Sequence, residues 1–191
     1  IIKVDGVDLR EYDVYALRKI FGVLFQDYVT YCLPLREIIA LSDFDERFNE
    51  DKLKKVCGIS GVLDIINDWE QGFDSVLGRY YADNSKDLSG GQWQLVGLAR
   101  AYFRDSEYMI LDEPSASLDP ISEDRIFKQL YRLSEGKSSV TISHRLSNTT
   151  LADKILVIDD GHIVEQGSHF ELLKQNGKYA HLFNLQASKY V

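Results

Sequence analysis

Apolar and polar positions alternate over residues 2–4 and again over 7–9, with Asp5-Gly6 between the two stretches. A period of two broken by Asp-Gly predicts a β-hairpin with a tight turn. Residues 11–19 lose the alternation and predict a short helix or turn. Ile20-Phe21-Gly22-Val23-Leu24-Phe25 is then apolar without a polar break and ends at Gln26-Asp27. That length and continuity predict a strand buried on both faces, as in a parallel sheet. From residue 35 to 66 the spacing turns helical. Leu35, Ile38, Ile39 and Ser42 share one face, and Leu53, Val56 and Cys57 a second. Val62, Leu63, Ile65 and Ile66 form a third short piece. No strand pattern interrupts them, so residues 32–87 are expected to form a small helical lobe, with Gly72, Gly78 and the polar stretch 82–87 as loops.

Beyond Leu88-Ser89-Gly90-Gly91-Gln92, the residues Leu95, Leu98, Ala99 and Tyr102 hold the i, i+3, i+4, i+7 spacing of an amphipathic helix running to about Arg104. Tyr108-Met109-Ile110-Leu111 predicts a buried strand that stops at Asp112-Glu113. A loop through Ser115-Ala116-Ser117-Leu118-Asp119-Pro120 leads to a helix carrying Ile126, Phe127, Leu130 and Tyr131, which ends near Gly136. Ser139-Val140-Thr141-Ile142-Ser143 is β-branched and predicts the next strand, ending at His144. A polar turn over 147–150 leads to a second hairpin around Asp160-Gly161. Ser168 with Glu171 fits a capping box, opening a helix that stops at Asn176-Gly177, and residues 179–186 predict a last helix. Strands alternating with helices predict an α/β fold with a mostly parallel sheet.

Composition narrows the function classes. The 191 residues, 45% of them hydrophobic, suffice for one domain with a core or for two small lobes. A net charge of −8 argues against a nucleic-acid partner. Cys32 and Cys57 are too few and too far apart for a metal motif or a disulfide framework, and read as reduced thiols. No apolar run approaches the ~18 residues of a membrane span. The chain opens Ile1-Ile2-Lys3 and its one methionine is Met109, so it is expected to be part of a longer chain.

Two stretches carry the chemistry. Ser89 stands at a helix N-cap position, and Gly90 and Gly91 let backbone approach an anion at the positive helix end. Asp112 and Glu113, delivered to a strand end, suit a hard cation and an attacking water. Singly, a Ser-Gly-Gly also makes a plain turn and an Asp-Glu a solvated loop start. In this order, with a helix between them, they are specific. Leu88-Ser89-Gly90-Gly91-Gln92 resembles the signature loop of the ATP-binding cassette (ABC) family. Tyr108-Met109-Ile110-Leu111-Asp112 resembles its Walker B strand, with Glu113 at the catalytic glutamate position.

The resemblance extends over nearly the whole chain. Thr141-Ile142-Ser143-His144-Arg145-Leu146-Ser147 resembles the switch-histidine segment of the exporter branch, where the histidine meets the terminal phosphate of ATP. Gln26 matches the Q-loop glutamine, near magnesium and the attacking water. Asp119 matches the D-loop aspartate used across a dimer interface, and also suits an N-cap before Pro120. The resemblance therefore implies catalytic roles for Glu113 and His144, metal roles for Asp112 and Gln26, and nucleotide contacts from Gln26, Ser89, Gly90, Gly91, Gln92 and Asp119. It implies ATP and Mg²⁺ as cofactors. The expected partners are a second nucleotide-binding domain, identical or not, and a transmembrane domain, which places the chain at the cytoplasmic face of the cell membrane. The expected organisation is an N-terminal hairpin and Q-loop strand (1–31), a helical subdomain (32–87), and a part (88–191) with signature helix, Walker B, D-loop, H-loop and C-terminal helices.

The chain departs from the family twice. Trp93-Gln94-Leu95 stands where a polar, arginine-bearing run is usual. No G-x-x-x-x-G-K-[ST] phosphate loop is present: Tyr131 stands five residues before Gly136-Lys137-Ser138, and Gly177-Lys178-Tyr179 fails as well. The implied fold is a P-loop NTPase-like, mostly parallel sheet with an inserted helical subdomain, lacking the Walker A strand and loop. In the family that strand lies beside the one ending at His144, so its absence predicts a gap with unpaired backbone groups. The chain alone is then poorly stable and inactive, or the strand comes from a partner or another segment. Two functions follow: the C-terminal part of an exporter's ATPase domain, or a non-catalytic signature-bearing module that completes a partner's ATP site. A chromosome-maintenance ATPase is disfavoured by the absence of a long coiled-coil pattern and of a basic patch.

Overall fold

A computed structural model describes residues 1–27, 29–78, 85–114, 123, 126–128, 130–131 and 136–188. They form two units, residues 1–142 and 143–191.

In the first unit, β1 (Lys3–Val4) and β2 (Val7–Asp8) pair antiparallel. Asp5 and Gly6 both take positive φ (50° and 82°), the pattern that matches a two-residue turn to strand twist. Helix α1 (Val14–Ile20) follows, its first turn capped by Asp13 accepting from the Ala16 N–H at 2.8 Å. Strands β3 (Phe21–Leu24), β4 (Tyr108–Asp112) and β5 (Ser138–Ile142) form a parallel sheet in that order. The apolar run 20–25 thus yields a shorter strand than expected. Ile20 closes α1, and pairing begins only at Phe21, which faces Tyr108 where β4 starts. Gly22 is required on β3: a Cβ there would lie 2.6 Å from Met109 Sδ and 2.7 Å from the Ala101 carbonyl.

The helical lobe contains α2 (Leu35–Ile39), α3 (Glu50–Ser60) and α4 (Val62–Ile66). Helix α5 (Gly90–Phe103) lies between this lobe and the sheet. One apolar core joins all three layers, from Leu24, Met109 and Leu111 through Val96, Leu98 and Phe103 to Leu35, Ile39, Leu53 and Cys57. The lobe also holds two isolated bridges, Pro34 with Val76 and Leu77 with Lys86. Sequence patterning misses them because single bridges have no period. Inside the lobe, Arg36 is buried and paired with Asp74 and with Glu50 (2.8 Å), and the Asp74 bond raises its already high pKa.

Strand β5 is exposed along its whole length, with Val140 61% and Ile142 51% accessible. Among the described residues it pairs on one edge, with β4. Residues 123, 126–128, 130 and 131 are helical, with Ile126, Phe127 and Leu130 buried.

The second unit is a hairpin and two helices. Strands β6 (Ile155–Asp159) and β7 (His162–Gly167) pair antiparallel around Asp160 and Gly161, again both at positive φ. The Ser168–Glu171 capping box forms and opens α6 (His169–Gln175), which stops at Asn176 in the left-handed region. Helix α7 (Lys178–Ala187) follows, with the Glu165 carboxylate accepting from the Lys178 and Tyr179 N–H groups of its first turn. Ile155, Leu172 and Tyr179 form the core of this unit. The segment expected as a polar turn is a 3₁₀ stretch, Leu146–Leu151.

Candidate functional site

Parallel strands place their carboxyl ends at one edge, the usual location for ligands in open α/β sheets. Leu24 faces Leu111, and Asp112 faces Ile142. Gln26 and Glu113 each follow the paired Leu24 and Leu111 by two residues, so both leave the sheet at that edge. Gln26 is exposed; Asp112 and Glu113 are partly buried.

Glu113 has an unusual backbone. Its φ is 49°, a left-handed conformation that costs a non-glycine residue about 1–3 kcal/mol and persists only where neighbours enforce it. Two neighbours do so. Its N–H donates to the Ile142 carbonyl at 2.9 Å, and its carbonyl accepts from Gln94 Nε2, also at 2.9 Å. The catalytic-glutamate candidate is thereby held between β5 and α5.

Ser89 caps α5 as expected and is reinforced by Gln92, named from the sequence as a nucleotide contact but not as a cap partner. Ser89 Oγ accepts from the Gln92 N–H at 3.2 Å, while Gln92 Oε1 accepts from the Ser89 N–H at 2.9 Å. The S-x-x-Q spacing is the signal for this reciprocal box. The box uses Ser89 Oγ as an acceptor and leaves its hydroxyl proton to donate. Ser89 and Gly90 are exposed, and Gly91 is partly buried. The positive end of a fourteen-residue helix is thus presented at the surface. Trp93, the departure beside this loop, is buried and lines a narrow cleft with Val29, Ile38, Val96, Gly97 and Arg100. The Arg100 guanidinium lies 5.7 Å from the Tyr31 ring centroid, and burial lowers its pKa.

His144 follows β5 by two residues, is the second residue of the second unit, and is exposed. Gln186 of α7 brackets this segment. Its Nε2 donates to the His144 carbonyl at 2.6 Å, and its Oε1 accepts from the Leu146 N–H at 2.9 Å. Asp119 lies outside the described residues, as does the whole loop 115–120.

Gly136-Lys137-Ser138 stands at the opposite end of the sheet, lining with residues 105–108 a cleft of about 420 Å³ at the amino ends of β4 and β5. Lys137 is paired there with Asp105, whose pKa that bond lowers. This Gly-Lys-Ser is a strand lead-in with an ion pair.

Among the described residues no three His, Cys, Asp or Glu side chains converge as a metal cage. Mg²⁺ ordinarily takes one or two protein oxygens and completes its octahedron with waters and phosphate. A single carboxylate at a strand end, Asp112, with a glutamine amide two residues beyond β3 suits that donor set.

Residues 1–116 match the family described as ABC transporter. The chain is 40% identical over 173 residues to the subtilin transport ATP-binding protein SpaT of Bacillus subtilis, covering 91% of this chain and 28% of that protein. It is 40% identical over 185 residues to the ATP-dependent lipid A-core flippase of Vibrio vulnificus (strain YJ016), covering 97% and 31%. A bacterial Atm1-family ABC exporter with ATP bound shares the fold at a TM-score of 0.85 and 30% identity, over 96% of this chain and 31% of that one. The chain thus spans about three tenths of the length of these relatives.

Proposed function

Because this chain belongs to the ABC transporter family, we propose that it is the C-terminal part of an exporter's ATP-hydrolysing domain, which couples hydrolysis between two such domains to transport across a membrane. In this reading the hairpin and Q-loop strand occupy 1–31, a helical subdomain 32–87, and the part with signature helix, Walker B, D-loop, H-loop and C-terminal helices 88–191. The observation that carries the reading is Glu113. It stands beside Asp112 at the carboxyl end of the central parallel strand, in a conformation that the backbone of β5 and a side chain of α5 support.

In this reading water attacks the γ-phosphorus in line as the bond to the β-phosphate oxygen breaks. Glu113 orients that water and accepts its proton. His144 donates to the γ-phosphate, where charge builds, while Gln186 holds the backbone of its segment. Asp112 and Gln26 would hold Mg²⁺, which when bound would supply charge neutralisation at the phosphates. Ser89 and the start of α5, with Gly90, Gly91 and Gln92, donate to the γ-phosphate of a nucleotide bound by the partner domain, and Asp119 lies at the same interface. The phosphate cradle must come from outside these residues, since no G-x-x-x-x-G-K-[ST] occurs in them. None of the helices among the described residues is long and apolar enough to cross a membrane. In this reading coupling runs through a transmembrane domain, with this chain at its cytoplasmic face. Similarity to the subtilin transport ATP-binding protein and to the lipid A-core flippase is equal at 40%, which favours neither cargo for this chain.

The test is ATP hydrolysis by the full-length protein. Glu113→Gln should lower kcat by about 10²–10⁴-fold while ATP binding persists. Unchanged turnover in Glu113→Gln would refute the base assignment. Binding without hydrolysis in the wild type would favour the non-catalytic signature-bearing module.

A further inference from the structure

The mechanism above gives no role to Gln94, yet its placement is unusual. It lies on the inward face of α5, one turn before Leu98, in an otherwise apolar stretch, and is 4% exposed. A buried amide needs hydrogen-bond partners. The Glu113 carbonyl, 2.9 Å from Nε2, is one. Because Pro114 follows Glu113, the peptide between them has no N–H, and its carbonyl is the handle by which a neighbour can orient it. A residue before proline ordinarily prefers extended backbone. Glu113 instead has φ 49°. This conformation turns the chain after Glu113 out of the extended path of β4, and the bond from Gln94 to the Glu113 carbonyl opposes its relaxation.

We propose that Gln94 is a positioning residue for Glu113. This rests on the reading of Glu113 as the water-activating carboxylate. Ser89 and Gln94 are five residues apart on one rigid helix, about 7 Å along its axis. The outer end of α5 meets the nucleotide of the partner domain; one turn and a half inward, the same helix holds the peptide of the catalytic residue. A shift of α5 by ~1 Å along the bond takes 2.9 Å beyond hydrogen-bond range. Glu113 keeps its orientation toward the attacking water only while that bond is intact.

The experiment uses the full-length transporter with steady-state ATP hydrolysis. Gln94→Met keeps the volume and removes the donor. It should lower kcat at least tenfold with KM for ATP within twofold of wild type and the thermal midpoint little changed. Gln94→Glu is near-isosteric and serves if the methionine variant does not fold. Its introduced carboxyl donates when neutral and cannot when ionised, so its kcat relative to wild type should fall as pH rises from about 5.5 to 8.5. In a Glu113→Gln background, Gln94→Met should leave the residual single-turnover rate unchanged, because no carboxylate remains to be positioned. Wild-type kcat in Gln94→Met, with Glu113→Gln inactive, overturns the role of Gln94 and leaves the site reading intact. An active Glu113→Gln overturns the site reading itself. Parallel loss of kcat, KM and thermal midpoint, or a flat pH ratio in Gln94→Glu, makes Gln94 merely structural and also overturns the proposal.

Discussion

Supplying β5 with a parallel neighbour should raise the stability of this chain by several kcal/mol. Val140 is 61% and Ile142 51% exposed. Full burial of such side chains is worth about 1.5–3 kcal/mol each, so covering the accessible half of both contributes roughly 2–3 kcal/mol. A five-residue parallel strand presents about two or three backbone hydrogen-bonding positions on its open edge. At ~1 kcal/mol net per bond they add roughly 2–3 kcal/mol. The sum, about 4–6 kcal/mol, approaches the whole stability of many domains. For a chain of this size it corresponds to a rise on the order of 10–20 °C in Tm. The assay compares thermal unfolding of the 191-residue chain with that of a chain extended at its amino end by a designed apolar strand, alongside an extension of scrambled order. The designed strand should raise Tm and the scrambled one should not. Equal midpoints would refute the reasoning, as would a rise that persists when Val140 and Ile142 are both changed to Ser. Without the extension, an open apolar edge favours strand-to-strand association, so the short chain should show concentration-dependent aggregation that Val140→Lys reduces.

Two further outcomes follow from local geometry. Tyr108 donates to Asp5 Oδ1 at 2.7 Å, and this bond to a carboxylate raises the phenol pKa from 10.0 to about 12. A proton held more tightly by the folded state stabilises it below the unfolded pKa, so that contribution is complete below pH 10 and is lost as pH rises toward 12; a pH-stability profile of Tyr108→Phe should be flatter than wild type in that window, and identical profiles would refute the linkage. Gly22→Ala should destabilise the fold by about 1–3 kcal/mol in denaturant unfolding, because its Cβ meets the Ala101 backbone oxygen at 2.7 Å as well as Met109 Sδ; a companion Met109→Ala should therefore restore little, and full restoration would show that the backbone contact yields.

Much of the candidate site was legible because its signals are short. Ser89 at the head of α5 and Asp112-Glu113 at the end of β4 lie where a helix-period run and a buried apolar run predict them. Gln94 and Gln186 were not. A glutamine in an apolar helix face shows only that it needs a partner, and the partners here are 19 and 42 residues away. The bridges at Pro34 and Leu77 escaped for the same reason, since a single pairing has no period to detect.

What the sequence by itself determined is local: the positive-φ turns at Asp5-Gly6 and Asp160-Gly161, the Ser168–Glu171 cap, the buried stripe of α5 and the α/β alternation. Each depends on dihedral preferences and side chains within a few residues of one another. Tertiary structure alone decided that β5 pairs on one edge only among the described residues, with Val140 and Ile142 exposed, that Ile20 belongs to a helix, and that Glu113 is held in a left-handed conformation between α5 and β5. Those outcomes depend on which backbone groups distant segments present to one another, and no neighbouring residue along the chain specifies that.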